Sequence, residues 1–156
     1  MKPTQDITIL PFQPESQVEV KNLILAGLAE HWGTIDPSKN PDLDDICSTY
    51  ANGIFLVAWL QNRIIGTGAL IPKSNNTVEV VRMSVAADMR RQGIASQILQ
   101  RLCDHARSRG YLRLVLETTE TWHEVIEFYI RFGFQISHSI NGDIYFALDL
   151  SQEFGR

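Results

Sequence analysis

Polar and apolar residues alternate over Ile7–Phe12, the pattern of a strand. From about Glu15 to Glu30 the spacing lengthens to that of a helix, with Val18, Val20, Leu23, Ile24, Ala26 and Leu28 on its apolar side. Gly33 and Pro37 interrupt the chain. Asn40 before Pro41 reads as an N-cap followed by Pro in the first turn, and Asp42, Asp44 and Asp45 as helix-start charges; that helix should end near Asn52-Gly53. Three apolar strands follow, Ile54–Leu60, Arg63–Ile71 and Thr77–Val85, the first two joined through Gln61-Asn62 and the last two through the polar turn Pro72–Asn76. The cleanest helix runs from about Gly93 to Arg109. Ile94, Ile98, Leu99, Leu102, Cys103 and Ala106 share one face, Gln97, Arg101, Asp104 and Arg107 lie off it, and Gly110 ends it. A strand over Tyr111–Thr118, a short helix over about Thr121–Phe132 stopped by Gly133, and a hairpin of Phe134–His138 with Asp143–Leu150 around Asn141-Gly142 complete the pattern.

The order β-α-α-β-β-β-α-β-α-β-β mixes hairpins with helical crossovers, which predicts an α+β fold around one mixed sheet. The strands joined by the Gly93–Arg109 helix should be parallel, either as neighbours or splayed apart. A length of 156 residues fits one domain over 1–156, with 151–156 as a frayed tail. At 44% apolar and 21% charged residues, disordered and fibrous classes are excluded. A net charge of −4 argues against a nucleic-acid partner. Cys47 and Cys103 stand in no metal-ligand spacing, so no metal is expected, and two free thiols suit a cytoplasmic location. Residues Met1–Asp6 lead into no apolar stretch of a signal peptide, and no apolar run approaches the ~20 residues that span a bilayer, so no membrane association is expected.

The stretch with the most chemistry is Arg90-Arg91-Gln92-Gly93-Ile94-Ala95-Ser96, between the strand Val78–Val85 and the amphipathic helix. A strand that passes through a tight Gly-containing loop into a helix directs unpaired N–H groups and the positive end of the helix dipole at one spot, an anion site. Gly93 leaves room for a bulky anion, and Arg90 and Arg91 either reach phosphates or are solvated. Ser96 either donates one more hydrogen bond or caps the helix.

Arg90-x-x-Gly93-x-Ala95 resembles the phosphate loop of the GNAT superfamily of acyl-CoA-dependent N-acyltransferases. The strand ending Met83-Ser84-Val85 is similar to that family's strand ending, and Phe128-Tyr129-Ile130-Arg131-Phe132-Gly133-Phe134 to its second signature, a tyrosine four residues before Gly-Phe. The resemblance implies a mostly antiparallel central sheet flanked by about four helices and parting after the fourth strand. It implies acetyl-CoA as co-substrate, with the loop Arg90–Ser96 holding the pyrophosphate and the main chain of Met83, Ser84 and Val85 holding the pantetheine arm. Transfer would go directly to a primary amine of a small molecule or peptide in a ternary complex, and homodimers are common among such folds. Tyr129 matches the residue that protonates the departing thiolate, and Glu79, six residues before Val85, matches a general base found in some members. The chain departs from the family at Trp122, where many members carry an asparagine seven residues before the tyrosine.

Residue chemistry leaves alternatives open. Glu79, alternating with Val81, Met83 and Val85, is a base or an edge glutamate paired with a Lys or Arg. Tyr129 is an acid or a core aromatic. Glu117 is a second base or a structural hydrogen-bond acceptor, and Arg82, on the face opposite Glu79, is a salt-bridge partner for a carboxylate such as Glu117. The segment His31-Trp32-Gly33-Thr34-Ile35-Asp36, together with Trp122 and His123, is the candidate acceptor wall or an ordinary surface loop. Two rivals stand beside the transferase: a non-catalytic acyl-CoA-binding sensor, and a nucleotide binder, against which the absence of G-x-x-x-x-G-K-[ST] and G-x-G-x-x-G counts.

Overall fold

The computed structural model describes residues 6–33 and 37–151. Its strands are β1 (Ile7–Pro11), β2 (Ile54–Leu60), β3 (Arg63–Pro72), β4 (Thr77–Val85), β5 (Arg113–Thr119), β6 (Gln135–Ile140) and β7 (Asp143–Asp149). Its helices are α1 (Gln17–Trp32), α2 (Ile46–Thr49), α3 (Ile94–Ser108) and α4 (His123–Phe132). The strands form one sheet in the order β1-β2-β3-β4-β5-β7-β6, antiparallel except between β4 and β5. That pair is matched only from Thr77 opposite Arg113 to Glu79 opposite Val115. Beyond Glu79 the two strands part, as expected. Asn141 and Gly142 both take positive φ, 51° and 88°, in the β6–β7 turn, the twist that suits a tight hairpin.

The α3 face matches its pattern: Ile94, Ile98, Leu99, Leu102, Cys103 and Ala106 are all buried against the sheet. The approach is close because β3 carries Gly66 and Gly68 beneath the helix. A Cβ on Gly68 would lie 2.6 Å from Ile98 Cγ2, and one on Gly66 2.9 Å from Ile98 Cδ1. Helix α1 covers the other face through Val20 and Ile24, joined there by Leu43, Ile46, Phe55 and Val57. Val18, expected on the apolar side of α1, is 70% exposed. The buried positions of α1 are Val20 and Ile24, and Val18 falls outside their stripe.

The helix expected over 41–52 breaks into a 3-10 turn at Pro41–Leu43 and the single turn α2. Asn40 provides no side-chain cap; its Oδ1 accepts from Arg82 Nη2 at 3.0 Å. Asp45 caps α2 instead, accepting from Ser48 N–H at 3.1 Å. Asp44 pairs with Lys21 and Asp42 with Arg82, so two of the three expected helix-start carboxylates serve cations elsewhere in the chain.

Strand β4 also departs from simple alternation. Ser84 lies opposite Thr67 and Val81 opposite Ala69, so Arg82 and Met83 together face Gly68. Arg82 has φ 56°, and Thr67 Oγ1 donates to its carbonyl at 2.7 Å. This bulge inverts the faces. Glu79 and Val81 lie on the α1 side, whereas Met83 and Val85 pack with the α3 core and do not share the face of Glu79. Arg82, expected opposite Glu79, reaches Asn40 and Asp42 on the α1 side.

Candidate active site

The parting of β4 from β5 opens a cavity of about 1220 Å³ lined by the N-terminus of α3, by β4 from Glu79 to Val85 and by β5 from Leu116 to Thr118. Its volume suits a large ligand. From Val80 onward the β5-facing edge of β4 has no strand partner among the described residues, so its main-chain groups are free to bond a bound molecule.

At one end, a turn over Ala87–Met89 leads through Arg91, with φ 63°, to Gly93, with φ 80°, and into α3. The left-handed backbone at residue 93 favours glycine, and a Cβ there would touch nothing. Gly93 at the N-cap has no side chain with which to cap α3, and the first turn, Gly93, Ile94, Ala95 and Ser96, lines the cavity with its N–H groups. Gln92 alone among the expected loop residues does not line it. Arg90 also lines the cavity but is held by a forked bond to Glu30, at 2.6 and 2.9 Å, and donates to the Val85 carbonyl at 3.2 Å. The Arg90 hydrogen bond keeps the Glu30 carboxyl below its usual range. Arg91, 86% exposed, pairs loosely with Glu124 at 3.4 Å and is the freer cation of the two.

Along the slot, Met83, Ser84 and Val85 line the β4 side. Tyr129, from α4, lines the other side while buried among Phe128, Phe134 and Phe146. Burial pushes its phenol well above the ordinary tyrosine range, so it keeps its proton. Trp122 stacks on His31 at 4.1 Å and touches Trp32 at 5.5 Å, joining the end of α1 to the start of α4 across the cavity. His31 and Trp122 line the cavity; Trp32 and His123 do not. Thr34, Ile35 and Asp36 of the candidate acceptor wall lie outside the described residues.

At the far end, Glu79 and Glu117 project from the two diverging strands into the same cavity. Lys73 Nζ stands 3.6 Å from Glu79, whose side chain is only 15% exposed. Glu117 lies opposite Tyr145 on β7. A hydrogen bond from Tyr145 to Glu117, with the charges of Glu117, Asp143 and Glu79 around it, raises the Tyr145 phenol. Arg82 does not meet Glu117. Its partner is Asp42, at 2.8 and 2.6 Å, and Tyr50 Oη donates to the same carboxylate at 2.7 Å. Burial alone would raise the Asp42 carboxyl. The hydrogen bonds from Arg82 and Tyr50 and the Arg82 charge outweigh it, and the carboxyl sits below its usual range. Asp42, Tyr50 and Arg82 form a wall of the cavity that local pattern reading missed. The one local clue was a charged residue inside the apolar run of β4.

The fold is shared with solved acetyltransferase structures. The chain superposes on a GNAT-family acetyltransferase of Staphylococcus aureus with TM-score 0.84 at 23% identity, over 93% of this chain and 99% of that one. A GNAT-family acetyltransferase of Elizabethkingia anophelis with acetyl-CoA bound matches with TM-score 0.71 at 25% identity, over 92% and 97%. The family model of the GNAT acetyltransferases matches residues 19–134, and the chain belongs to this family. Curated relatives include N-acetyltransferase 8F1 of Rattus norvegicus, 33% identical over 60% of this chain and 46% of that protein. Another is the probable N-acetyltransferase 14 of Xenopus tropicalis, 32% identical over 76% and 58%. The chain thus spans about half the length of the curated relatives it matches. No helix among the described residues is long and apolar enough to cross a membrane.

Proposed function

We propose that this chain is an acetyl-CoA-dependent N-acetyltransferase that transfers the acetyl group directly to a primary amine in a ternary complex. One observation carries the reading. A single slot connects the uncapped N-terminus of α3, the unpaired edge of β4, a protonated buried tyrosine and a pair of carboxylates. The pyrophosphate would sit on the N–H groups of Gly93–Ser96, and the pantetheine arm would run along Met83–Val85. The amine nitrogen attacks the thioester carbon while Glu79, directly or through a water, takes its proton. Main-chain N–H of β4 stabilises the oxyanion. As the carbon–sulfur bond breaks, the thiolate takes the Tyr129 proton, and the amide and CoA leave. The free thiols Cys47 and Cys103 suit a reducing, cytoplasmic setting.

The test is calorimetric titration with acetyl-CoA, CoA, ATP and NAD, followed by thiol release with a panel of amines. We expect binding of acetyl-CoA and CoA only, and CoA release with at least one amine. Failure to bind acetyl-CoA would overturn the reading, whereas binding without turnover on any amine would favour a sensor of acyl-CoA.

A further inference from the structure

Three side chains of β5 turn toward the α3 and α4 side of the sheet. Leu114 and Leu116 are buried there in the core that includes Tyr129, and alternation places Thr118 next on that face. Thr118 is 8% exposed and lines the slot, and its Oγ1 is buried with no hydrogen-bond partner among the described residues. A valine would fill the same volume without stranding a hydroxyl in a dry position. The unmade bond is therefore unexplained by the fold of the free protein. Two features connect it to a ligand. Thr118 lies on the arm of the slot opposite the unpaired edge of β4, so a chain threaded between the strands passes it. And Trp122, four residues on, has its ring engaged with His31, so it offers the slot no amide of the kind an asparagine would supply.

We propose that Thr118 is a coenzyme-positioning residue whose hydroxyl hydrogen-bonds an amide of the pantetheine arm from the β5 side. The inference rests on the acyl-CoA reading of the slot. A pantetheine arm carries two amides into a largely apolar gap, and each needs partners on both sides to enter without loss. Strand β4 supplies main-chain groups on one side only. A step of about 120° in χ1 carries Oγ1 out of its dry position to another of the three staggered positions on Cβ, and this step accompanies entry of the arm.

The proposal makes two measurements move in opposite directions. In Thr118→Val the ligand-free protein should melt at the same temperature as wild type or higher, because no bond is lost. Its Kd for CoA in calorimetry should weaken about five- to tenfold, the scale of one hydrogen bond. Thr118→Ser should bind CoA within about twofold of wild type, and Thr118→Ala, the alternative should Val fold poorly, should weaken binding like Val. Wild-type binding of CoA with unchanged affinity in both Val and Ala would overturn the role of Thr118 and leave the coenzyme site standing. A fall in the ligand-free melting temperature with no loss of affinity would overturn it equally. Wild-type protein that binds no CoA would overturn the acyl-CoA reading and this proposal with it.

Discussion

The two ends of the slot are built in different ways. The α3 end is assembled from neighbours in sequence: positive φ at Arg91 and Gly93, then an uncapped helix start, all within a few residues. The far end depends on pairs remote in the chain. Arg82 holds Asp42 across 40 positions, and Glu117 meets Tyr145 across β5 and β7. Backbone geometry defines the first end, whereas side-chain contacts between separate elements define the second. The geometry of the α3 end can therefore persist while the far wall changes shape.

That contrast can be broken most sharply at Tyr129, which lines the slot between them from α4. Tyr129→Phe should lower the acetyl-transfer rate by about 100-fold, the scale of general acid catalysis, with CoA affinity nearly unchanged. Comparable loss of CoA binding in titration would make Tyr129 a packing residue of the α3 end. Next in size is Arg82→Met. Removing the guanidinium leaves Asp42 half-buried without its cation and should cost about 2 kcal/mol in urea unfolding. It should raise KM for the amine more than KM for acetyl-CoA, and the reverse order would show that the ends are not separable. Gly93→Ala should cost about 1 kcal/mol through the strain at φ 80° alone, since the added Cβ meets nothing, and should weaken CoA binding while amine KM holds.

The smallest effect is in acid. The Asp42 carboxyl titrates lower in the folded protein than in the unfolded chain, so its contribution is full above the unfolded value. That contribution is lost as pH falls through the folded one. Stability should therefore decline below about pH 4, and Asp42→Asn should flatten part of that limb in unfolding curves measured across pH.

Legibility followed the same division. Helix α3 was readable to within a residue at each end, and its buried face as expected, because its amphipathic period is clean. The parting after the fourth strand was readable through the family resemblance and the crossover connection, whereas the placing of β7 between β5 and β6 was not. Helix α1 was less so, because its stripe is narrow and Val18 falls outside it. The segment after Pro41 misled most, since Asp42 and Asp44 are recruited by Arg82 and Lys21. The β4 bulge was invisible to a period-2 reading. One extra residue opposite Gly68 sends Glu79 and Met83 to different faces.

By itself, the sequence determined the elements whose causes are local: strands and helices with clean periods, the turn glycines and the loop into α3. Through the family resemblance it also named Tyr129 and Glu79 as candidates for proton transfer, with Glu117 as a second carboxylate, while leaving their structural alternatives open. Tertiary structure alone decided which groups remain available in that slot. Arg90 is occupied by Glu30, Arg82 by Asp42 and the Trp122 ring by His31, while Thr118 keeps an unbonded hydroxyl. The physical reason is that propensity and backbone strain act over a few residues. Pairing and burial depend on which distant side chains the packed sheet brings together.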